Sequence, residues 1–225
     1  MGRFKMKLAN VGIIATLILG THFNVSANLI VNGGFEDTKV NANSWQWFTS
    51  DSINGWDGSN IEIWNDYLGV TAKEGQQFAE LNSHANAGAI FSIFQTFSTE
   101  IDSIYDFSFA YRARVNTNES FSISLDSNND NFFSRVLDDH IMSTWNTMAD
   151  SFTAISTSTT IRFTSITPAT STLGNFLDDI KVVKRRNLDL ASTAVSEPAI
   201  GTLFGLSLMV IIGLTRKKLV KKSIQ

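Results

Sequence analysis

Aromatic side chains that could bind sugar crowd into one short stretch of the sequence, positions 45–67. A saccharide presents apolar C–H faces, and these faces stack on indole and phenol rings that are exposed to solvent. The polar surroundings are typical of loops. They favour exposure of the four candidate ligand-binding residues, Trp45, Trp47, Trp64 and Tyr67. The alternative is that these rings are packed, as most tryptophans are.

Residues that support common hydrolytic mechanisms are sparse. Between the two ends of the chain, only His84 and His140 could supply an imidazole base. The sequence has no Gly-x-Ser-x-Gly, His-Glu-x-x-His or phosphate-loop motif. Paired carboxylates can hydrolyse glycosides, but nothing in the sequence places two of them across a cleft. We expect a protein that is not an enzyme, with both histidines in loops or at the surface.

The net charge of −3 over 225 residues hides a strong asymmetry. All 21 acidic residues lie between Glu36 and Glu197 with only ten basic ones, so this middle part carries −11. Nucleic acid is not expected as a partner, because phosphate binding requires a basic surface. The chain has no cysteine, which excludes disulfides and thiolate metal sites.

Short runs of alternating apolar and polar residues predict the elements that must position these side chains. In the longest run, Tyr105, Phe107, Phe109 and Tyr111 fall on one face of a strand. Similar runs recur between clusters of turn residues such as Asn32-Gly33-Gly34. Many short strands without intervening helices predict an all-β fold, a β-sandwich over residues 28–183.

The start of the chain predicts a cleavable signal peptide over residues 1–27. Three basic residues precede an almost purely apolar run from Leu8 to Gly20. Val25-Ser26-Ala27 supplies small residues at the spacing that signal peptidase reads, so we place the cut after Ala27. An uncleaved anchor is the alternative, although the apolar run is short for one.

The end of the chain predicts a single membrane-spanning or sorting helix. A linker over 184–198 leads to the uncharged segment 199–215. That segment is about 25 Å long as a helix, slightly short of a ~30 Å hydrocarbon core. The basic tail, 216–225, is expected to stay in the cytoplasm, which leaves the acidic domain outside.

The three parts of this end resemble the PEP-CTERM sorting signal. The resemblance rests on Val195-Ser196-Glu197-Pro198, the apolar helix that follows and the basic cluster Arg216-Lys217-Lys218. It implies export through the inner membrane, processing by an exosortase-type enzyme and a role near exopolysaccharide. Ser196 stands where the family usually has its first proline. The protein is expected to remain anchored by the helix or to be released to the cell surface and medium, an ordinary C-terminal anchor being the alternative.

A second resemblance rests on the order of motifs in the middle of the chain. The motifs are Asn28-Leu29-Ile30-Val31-Asn32-Gly33-Gly34-Phe35-Glu36, Gly55-Trp56, residues 74–81, Tyr105-Asp106-Phe107-Ser108-Phe109, Thr144-Trp145, Ser151-Phe152-Thr153 and residues 176–182. This order resembles the jelly-roll, galactose-binding-like domains that serve as carbohydrate-binding modules. The resemblance implies a jelly-roll sandwich, a glycan as ligand, and core positions for Trp56 and Trp145.

The same resemblance implies a structural calcium ion between the opening and closing strands. The matching positions are Glu36 and the pair Asp178 and Asp179. Carboxylates and carbonyls are the hard oxygen ligands that calcium prefers. Adjacent strand residues face opposite ways, so only one aspartate of the pair shares the face of Ile180 unless a bulge intervenes. The alternative is a pair simply hydrogen-bonded at the end of a strand.

The segment 126–131 imitates the start of an EF-hand loop but lacks its glycine and distal glutamate, so we expect a polar turn there. Together these features predict an exported, non-catalytic β-sandwich that binds exopolysaccharide or another envelope glycan. The other hypothesis is a structural or adhesion protein that binds proteins and no sugar.

Overall fold

The strands of the structure are short and pair antiparallel, as the alternating sequence predicts. The computed structural model of the chain describes residues 27–86, 88–128 and 130–186. The strands within these residues are β1 Ser44–Phe48, β2 Asp57–Gly58, β3 Ile61–Asn65, β4 Gln77–Glu80, β5 Ser92–Ser98, β6 Ile104–Arg112, β7 Ser120–Ser127, β8 Asp130–Leu137, β9 Asn146–Thr153, β10 Ser158–Thr167 and β11 Phe176–Lys184.

Two sheets form a sandwich. One has six strands in the order β1-β3-β4-β11-β6-β9, and the other has five in the order β2-β5-β10-β7-β8. From β4 onward, strands that follow each other in sequence mostly lie in opposite sheets, so the connections pass across the ends of the sandwich. This arrangement is consistent with a jelly roll, and it confirms the predicted all-β class with two antiparallel sheets.

The main core lies between the sheets and consists largely of the alternating residues. Phe107 and Phe109 of β6 are buried, as are Ile161 and Phe163 of β10 in the facing sheet. The rings of Phe109 and Phe163 meet edge to face with centroids 5.0 Å apart. Full burial of such a side chain stabilises the fold by about 1.5–3 kcal/mol, so the alternation accounts for the way the two sheets associate.

The opening segment of the domain is fastened to its last strand. Asn28 forms an antiparallel bridge with Val183. The Leu29 amide donates to the Val182 carbonyl over 2.8 Å. The Asn28 side chain accepts from the Val182 amide over 2.9 Å. The first and last segments of the described domain therefore lie side by side, at residues 28–29 and 182–183.

Several predictions concern residues that the structure does not describe. They are the signal peptide up to residue 26, the sorting motif at 195–198, the helix at 199–215 and the basic tail. Among the described residues, no helix is both long enough and apolar enough to span a bilayer.

Candidate functional site

The outer face of the six-stranded sheet collects the aromatic candidates. In the β1–β3 register Trp45 lies opposite Trp64, and Trp47 lies opposite Glu62. The intervening residues Ile61 and Ile63 belong to the main core, so these tryptophans point away from it. We call this surface the tryptophan face; it comprises Trp45, Trp47, Glu62, Trp64, Phe78, Glu80 and Phe176. The prediction that the tryptophans lie in loops is wrong, because Trp45, Trp47 and Trp64 are strand residues.

The four predicted ligand residues differ sharply in exposure. Trp47 is 44% exposed, whereas Trp64 is only 1% exposed. Trp45 and Tyr67 are half-buried. A ring must offer a free face to stack on a sugar, so Trp45, Trp47 and Tyr67 can serve as a surface and Trp64 cannot in this conformation.

Trp64 is instead the centre of a second, smaller core. Its ring lies 5.2 Å from that of Tyr67 and 5.0 Å from that of Phe176. The Arg114 guanidinium covers it at 4.7 Å from the ring centroid. Val70, Phe78 and the half-buried Trp145 complete the cluster. The segment between β3 and β4 covers this part of the tryptophan face, and the Trp145 indole N–H holds that segment by donating to the Thr71 carbonyl over 2.9 Å.

Two buried carboxylates lie directly opposite each other on this face. Glu62 of β3 and Glu80 of β4 are register partners, exposed to 1% and 0%. Glu62 accepts from the Trp64 indole N–H over 2.8 Å and from the His84 amide over 3.1 Å. Glu80 accepts from Arg114 Nη1 with both oxygens, at 2.6 and 2.7 Å. Both acids therefore have internal partners, and sequence reasoning missed them although the alternation Ile61-Glu62-Ile63 marks a two-sided strand.

Both carboxyl groups of this pair are buried away from water, where a negative charge is costly. Burial raises the pKa of Glu80 well above its usual value, and the neighbouring Glu62 raises it further. The Arg114 guanidinium acts in the opposite direction and compensates part of the penalty. Removing Arg114 would leave Glu80 beside Glu62 with no cation, so the three side chains stabilise this face as a unit.

The predicted calcium ligands are engaged in hydrogen bonds with the protein. Asp178 is fully buried. Its Oδ2 accepts from the amides of Lys73 and Glu74 over 2.6 and 3.0 Å, and its Oδ1 accepts from its own neighbour, Asp179, over 2.7 Å. Desolvation nevertheless raises the pKa of Asp178 to about 7. Asp179 forms an ion pair with Lys181.

Glu36 connects the opening segment to the start of β4. Its Oε1 accepts from the amides of Gln76 and Gln77 over 2.6 and 2.7 Å, while its Oε2 lies 3.7 Å from Lys39 Nζ. This approach requires a glycine at position 75, where a Cβ would lie 2.2 Å from Glu36 Oε1 and where φ is +67°. In the described part of the chain no three metal-ligating side chains come together as a group that could hold an ion.

A bulge resolves the placement of the aspartate pair. The pairing of β11 with β6 shifts between Asp178 and Lys181, and Asp179 has a φ of +53°. The extra residue lets Leu177 and Ile180 both join the main core. Asp178 consequently lies on the other side of the sheet, next to the covering segment of the tryptophan face.

Some of the remaining sequence predictions are confirmed, and others are corrected. Trp56 is buried in the main core and His84 is exposed, as expected. His140 lies in the loop between β8 and β9, as one part of the prediction has it, but it is not at the surface: it is 2% exposed, with its ring 5.0 Å from that of Tyr111 and 5.2 Å from that of Phe121. Burial lowers its pKa. The EF-hand-like segment lies at the β7–β8 hairpin, where Asn131 donates to Asp126 over 2.9 Å.

Comparison with known proteins adds a family and a set of distant structural likenesses. A family model described as "Protein of unknown function (DUF642)" matches residues 28–184. No curated protein matches the sequence.

Solved structures similar to the chain include TmCBM61 in complex with β-1,4-galactotriose, 14% identical with a TM-score of 0.47, over 71% of this chain and 100% of that one. The CBM22-1 xylan-binding domain of Paenibacillus barcinonensis Xyn10C is 11% identical with a TM-score of 0.40, over 69% and 93%. The arabinose-bound MgGH51 α-L-arabinofuranosidase is 13% identical with a TM-score of 0.49, over 73% and 27%.

Proposed function

The chain belongs to the DUF642 family of proteins of unknown function, and we propose that this member is a non-catalytic glycan-binding domain. The observation that carries the proposal is the pair of tryptophans on the edge strand β1. Trp47 is 44% exposed and Trp45 is half-buried on the same face of that strand. The order of sequence motifs that resembles galactose-binding-like modules points to the same class of ligand.

The spacing of the two rings suits a saccharide chain. Residues two apart on a strand are about 6.8 Å apart and project on the same side, so two indoles can contact neighbouring sugars or one sugar and its linkage. His84, with its ring 6.1 Å from that of Trp45, supplies a polar group at the rim of this surface. Tyr67 closes the other side through its contact with Trp64.

The acid pair on the same face supports binding and not hydrolysis. Glu62 and Glu80 are buried and accept hydrogen bonds from Trp64, His84 and Arg114, so neither is free to transfer a proton to a glycosidic oxygen. Their role in this proposal is to fix the strands and Arg114 beneath the aromatic surface.

Affinity electrophoresis in gels that contain soluble polysaccharides tests the proposal. Trp47→Ala is expected to weaken retardation at least about tenfold, because exposed aromatic anchors dominate such contacts. Val136→Ala is the matched control: Val136 is 53% exposed on β8 of the other sheet, so retardation should not change. A wild-type protein that no polysaccharide retards would contradict the proposal and favour the adhesion hypothesis, in which the same tryptophans bind a protein.

We also propose that the domain works outside the cell, at the surface or in the medium. The proposal rests on the predicted signal peptide, the PEP-CTERM-like end and the charge of −11 between them. The inner membrane and an exosortase-type enzyme are the partners that it requires, with exopolysaccharide as the glycan nearby. The intact mass of the protein recovered from cells and from medium tests both cleavages, and a full-length mass in each fraction would contradict them.

Calcium stays a prediction. Glu36 and Asp178 already accept two and three backbone hydrogen bonds, so the geometry supports the alternative of carboxylates that fasten a strand end. The groups that an ion would have to recruit are Glu36 Oε2, now 3.7 Å from Lys39 Nζ, and the acid Glu74, which lies against Gly34 near Asp178.

A further inference from the structure

The outer face of the five-stranded sheet is covered by hydroxyl side chains. In the pairing of β10 with β5 and β7, eight of the eleven outward positions are serine or threonine. We call this surface the hydroxyl face; its members are Ser92, Thr96, Ser98, Ser122, Ser124, Ser158, Thr160 and Thr164. Two cross-strand pairs are hydrogen-bonded, Thr96 with Thr160 over 2.8 Å and Ser92 with Thr164 over 2.9 Å.

Short side chains leave room above the sheet at one end of it. A cavity of about 470 Å³ opens there. Its lining residues are Asp126, Ser127, Asn128, Ser158, Thr160 and Arg162. The volume lies within the roughly 300–1,000 Å³ typical of small-molecule sites.

One charged pair interrupts the hydroxyls, at the wall of this cavity. Arg162 lies over the ring of Phe94, with its guanidinium carbon 4.2 Å from the ring centroid, a cation–π contact that favours this position of the side chain. Its Nε is 3.5 Å from Asp126 Oδ2, a long contact, and within the described residues it is the side chain's one hydrogen bond. Both side chains are partly exposed, to 34% and 23%. The pair offers donors on the guanidinium. Asp126 accepts from Asn131 at Oδ1 and from Ser124 at Oδ2, which leaves a second lone pair on Oδ1 as the acceptor for a ligand.

The chemistry of this wall selects for an uncharged partner with many hydroxyl groups. The arginine and the aspartate neutralise each other, so neither an anion nor a cation gains a net charge interaction. A vicinal diol can accept from the guanidinium and donate to the carboxylate at the same time, and such charge-assisted bonds are the stronger ones. Thr160 and Ser158 add groups that both donate and accept.

We infer that the cavity above Asp126, Thr160 and Arg162 is a binding site for neutral sugar residues, separate from the tryptophan face. The inference rests on its own cavity and polar groups. The two sites lie on the outer faces of opposite sheets, so each can be lost without the other.

The test uses the full-length chain, labelled for NMR, with xylohexaose and β-1,4-galactotriose as probes at millimolar concentration. Backbone amides of residues 126–128 and 158–162 are expected to shift on titration. Ser158→Tyr fills the cavity from an exposed position and should weaken the shifts at least about tenfold. Val136→Tyr places the same ring on the same sheet outside the cavity and should leave them unchanged. Asp126→Asn, which removes one charge-assisted bond, should also weaken binding about tenfold.

The outcomes separate this site from the tryptophan face. If Trp47→Ala leaves the amide shifts at the cavity intact, the two sites are independent and the inference stands, whatever happens to gel retardation. The inference is overturned if these amides do not move with either probe, if Ser158→Tyr binds like the wild type, or if Trp47→Ala abolishes their shifts. Tighter binding of trigalacturonate than of the neutral probes would also overturn it, because the site would then select an anion.

Discussion

The two outer faces of the sandwich both consist of alternate residues of their strands, but one face is covered and the other is exposed to solvent. On the tryptophan face, the segment between β3 and β4 packs over Trp64, and the buried acids Glu62 and Glu80 accept hydrogen bonds from other connections, at His84, Arg114 and Gly174. The hydroxyl face has no such cover among the described residues, and its side chains stay partly exposed. A sheet face becomes a second core when a connection folds over it, and a charge buried there, such as Glu80, then depends on a partner such as Arg114. The uncovered face carries polar groups that water can satisfy.

The strongest test of this difference compares one buried ion pair with one exposed pair. Glu80→Ala leaves Arg114 without its carboxylate in a largely buried position and is expected to cost about 3–5 kcal/mol of unfolding free energy. Asp150→Ala breaks the exposed pair with Arg135, 2.8 Å long, and is expected to cost about 1 kcal/mol or less. Urea denaturation measures both. Equal losses would show that the covered face is no more sensitive than open surface.

The second test uses pH at the rim of the covered face. Since burial raises the pKa of Asp178 from 3.8 to about 7, the folded state holds a proton that the unfolded chain releases. The bound proton stabilises the folded state fully below pH ~4, and this stabilisation is lost as pH rises to ~7. The loss in unfolding free energy is up to about 4 kcal/mol, at 1.36 kcal/mol per pKa unit.

Asp178→Asn removes that titration. The variant keeps one acceptor oxygen, but its NH2 group faces at least one of the three backbone amides as a second donor. It should therefore be less stable at every pH, but its deficit should shrink as pH rises from 4 to 7. Thermal melts across this range measure the deficit. A constant deficit would mean that Asp178 is ionised throughout, as expected for a carboxylate held by its hydrogen bonds or by an ion.

Chelation sharpens the same comparison. If calcium links Glu36 to Asp178, saturation at a hundredfold excess over the Kd contributes about 2.7 kcal/mol. The melting temperature of the wild type should then fall on chelation, by a few degrees per kcal/mol, while that of Glu36→Ala should not respond. Identical wild-type melts with and without chelator would contradict the calcium prediction and leave hydrogen bonds as the function of these carboxylates.

The smallest effect is expected on the uncovered face. Replacing both members of the Thr96–Thr160 pair by valine removes one exposed hydrogen bond, 2.8 Å long, and keeps β-branched side chains in the strands. The unfolding free energy should change by about 0.5 kcal/mol or less, since both groups can bond to water. A loss of several kcal/mol would mean that hydrogen bonds on the hydroxyl face contribute substantially to the stability of the sheet.

The sequence predicts the main core well because alternation is a local property. Tyr105, Phe107 and Phe109 follow the period of a strand, and all three are buried as expected. The second core is not local. Trp64, Phe78 and Phe176 come together only through the pairing of β3, β4 and β11, and through a cover whose path the sequence does not state.

The wrong assignments have the same origin. His140 follows Asp138 and Asp139, and such polar neighbours in sequence predict an exposed side chain. Long-range packing instead places its ring against those of Tyr111 and Phe121. Trp45 and Trp47 sit among polar residues because one side of an edge strand faces water. In each case the polarity of neighbours along the chain differs from that of neighbours in space.

The position of β11 has a mechanical consequence. This strand leads to residues 185 and 186 and lies inside the six-stranded sheet, between β4 and β6. If the predicted linker tethers the domain, a pull on it acts on an interior strand. A pull along the strand axis must shear the seven residue pairs that join β11 to β6 together, whereas an edge strand can peel away one pair at a time. A domain held by this end would therefore resist a pulling force better than one held by an edge strand.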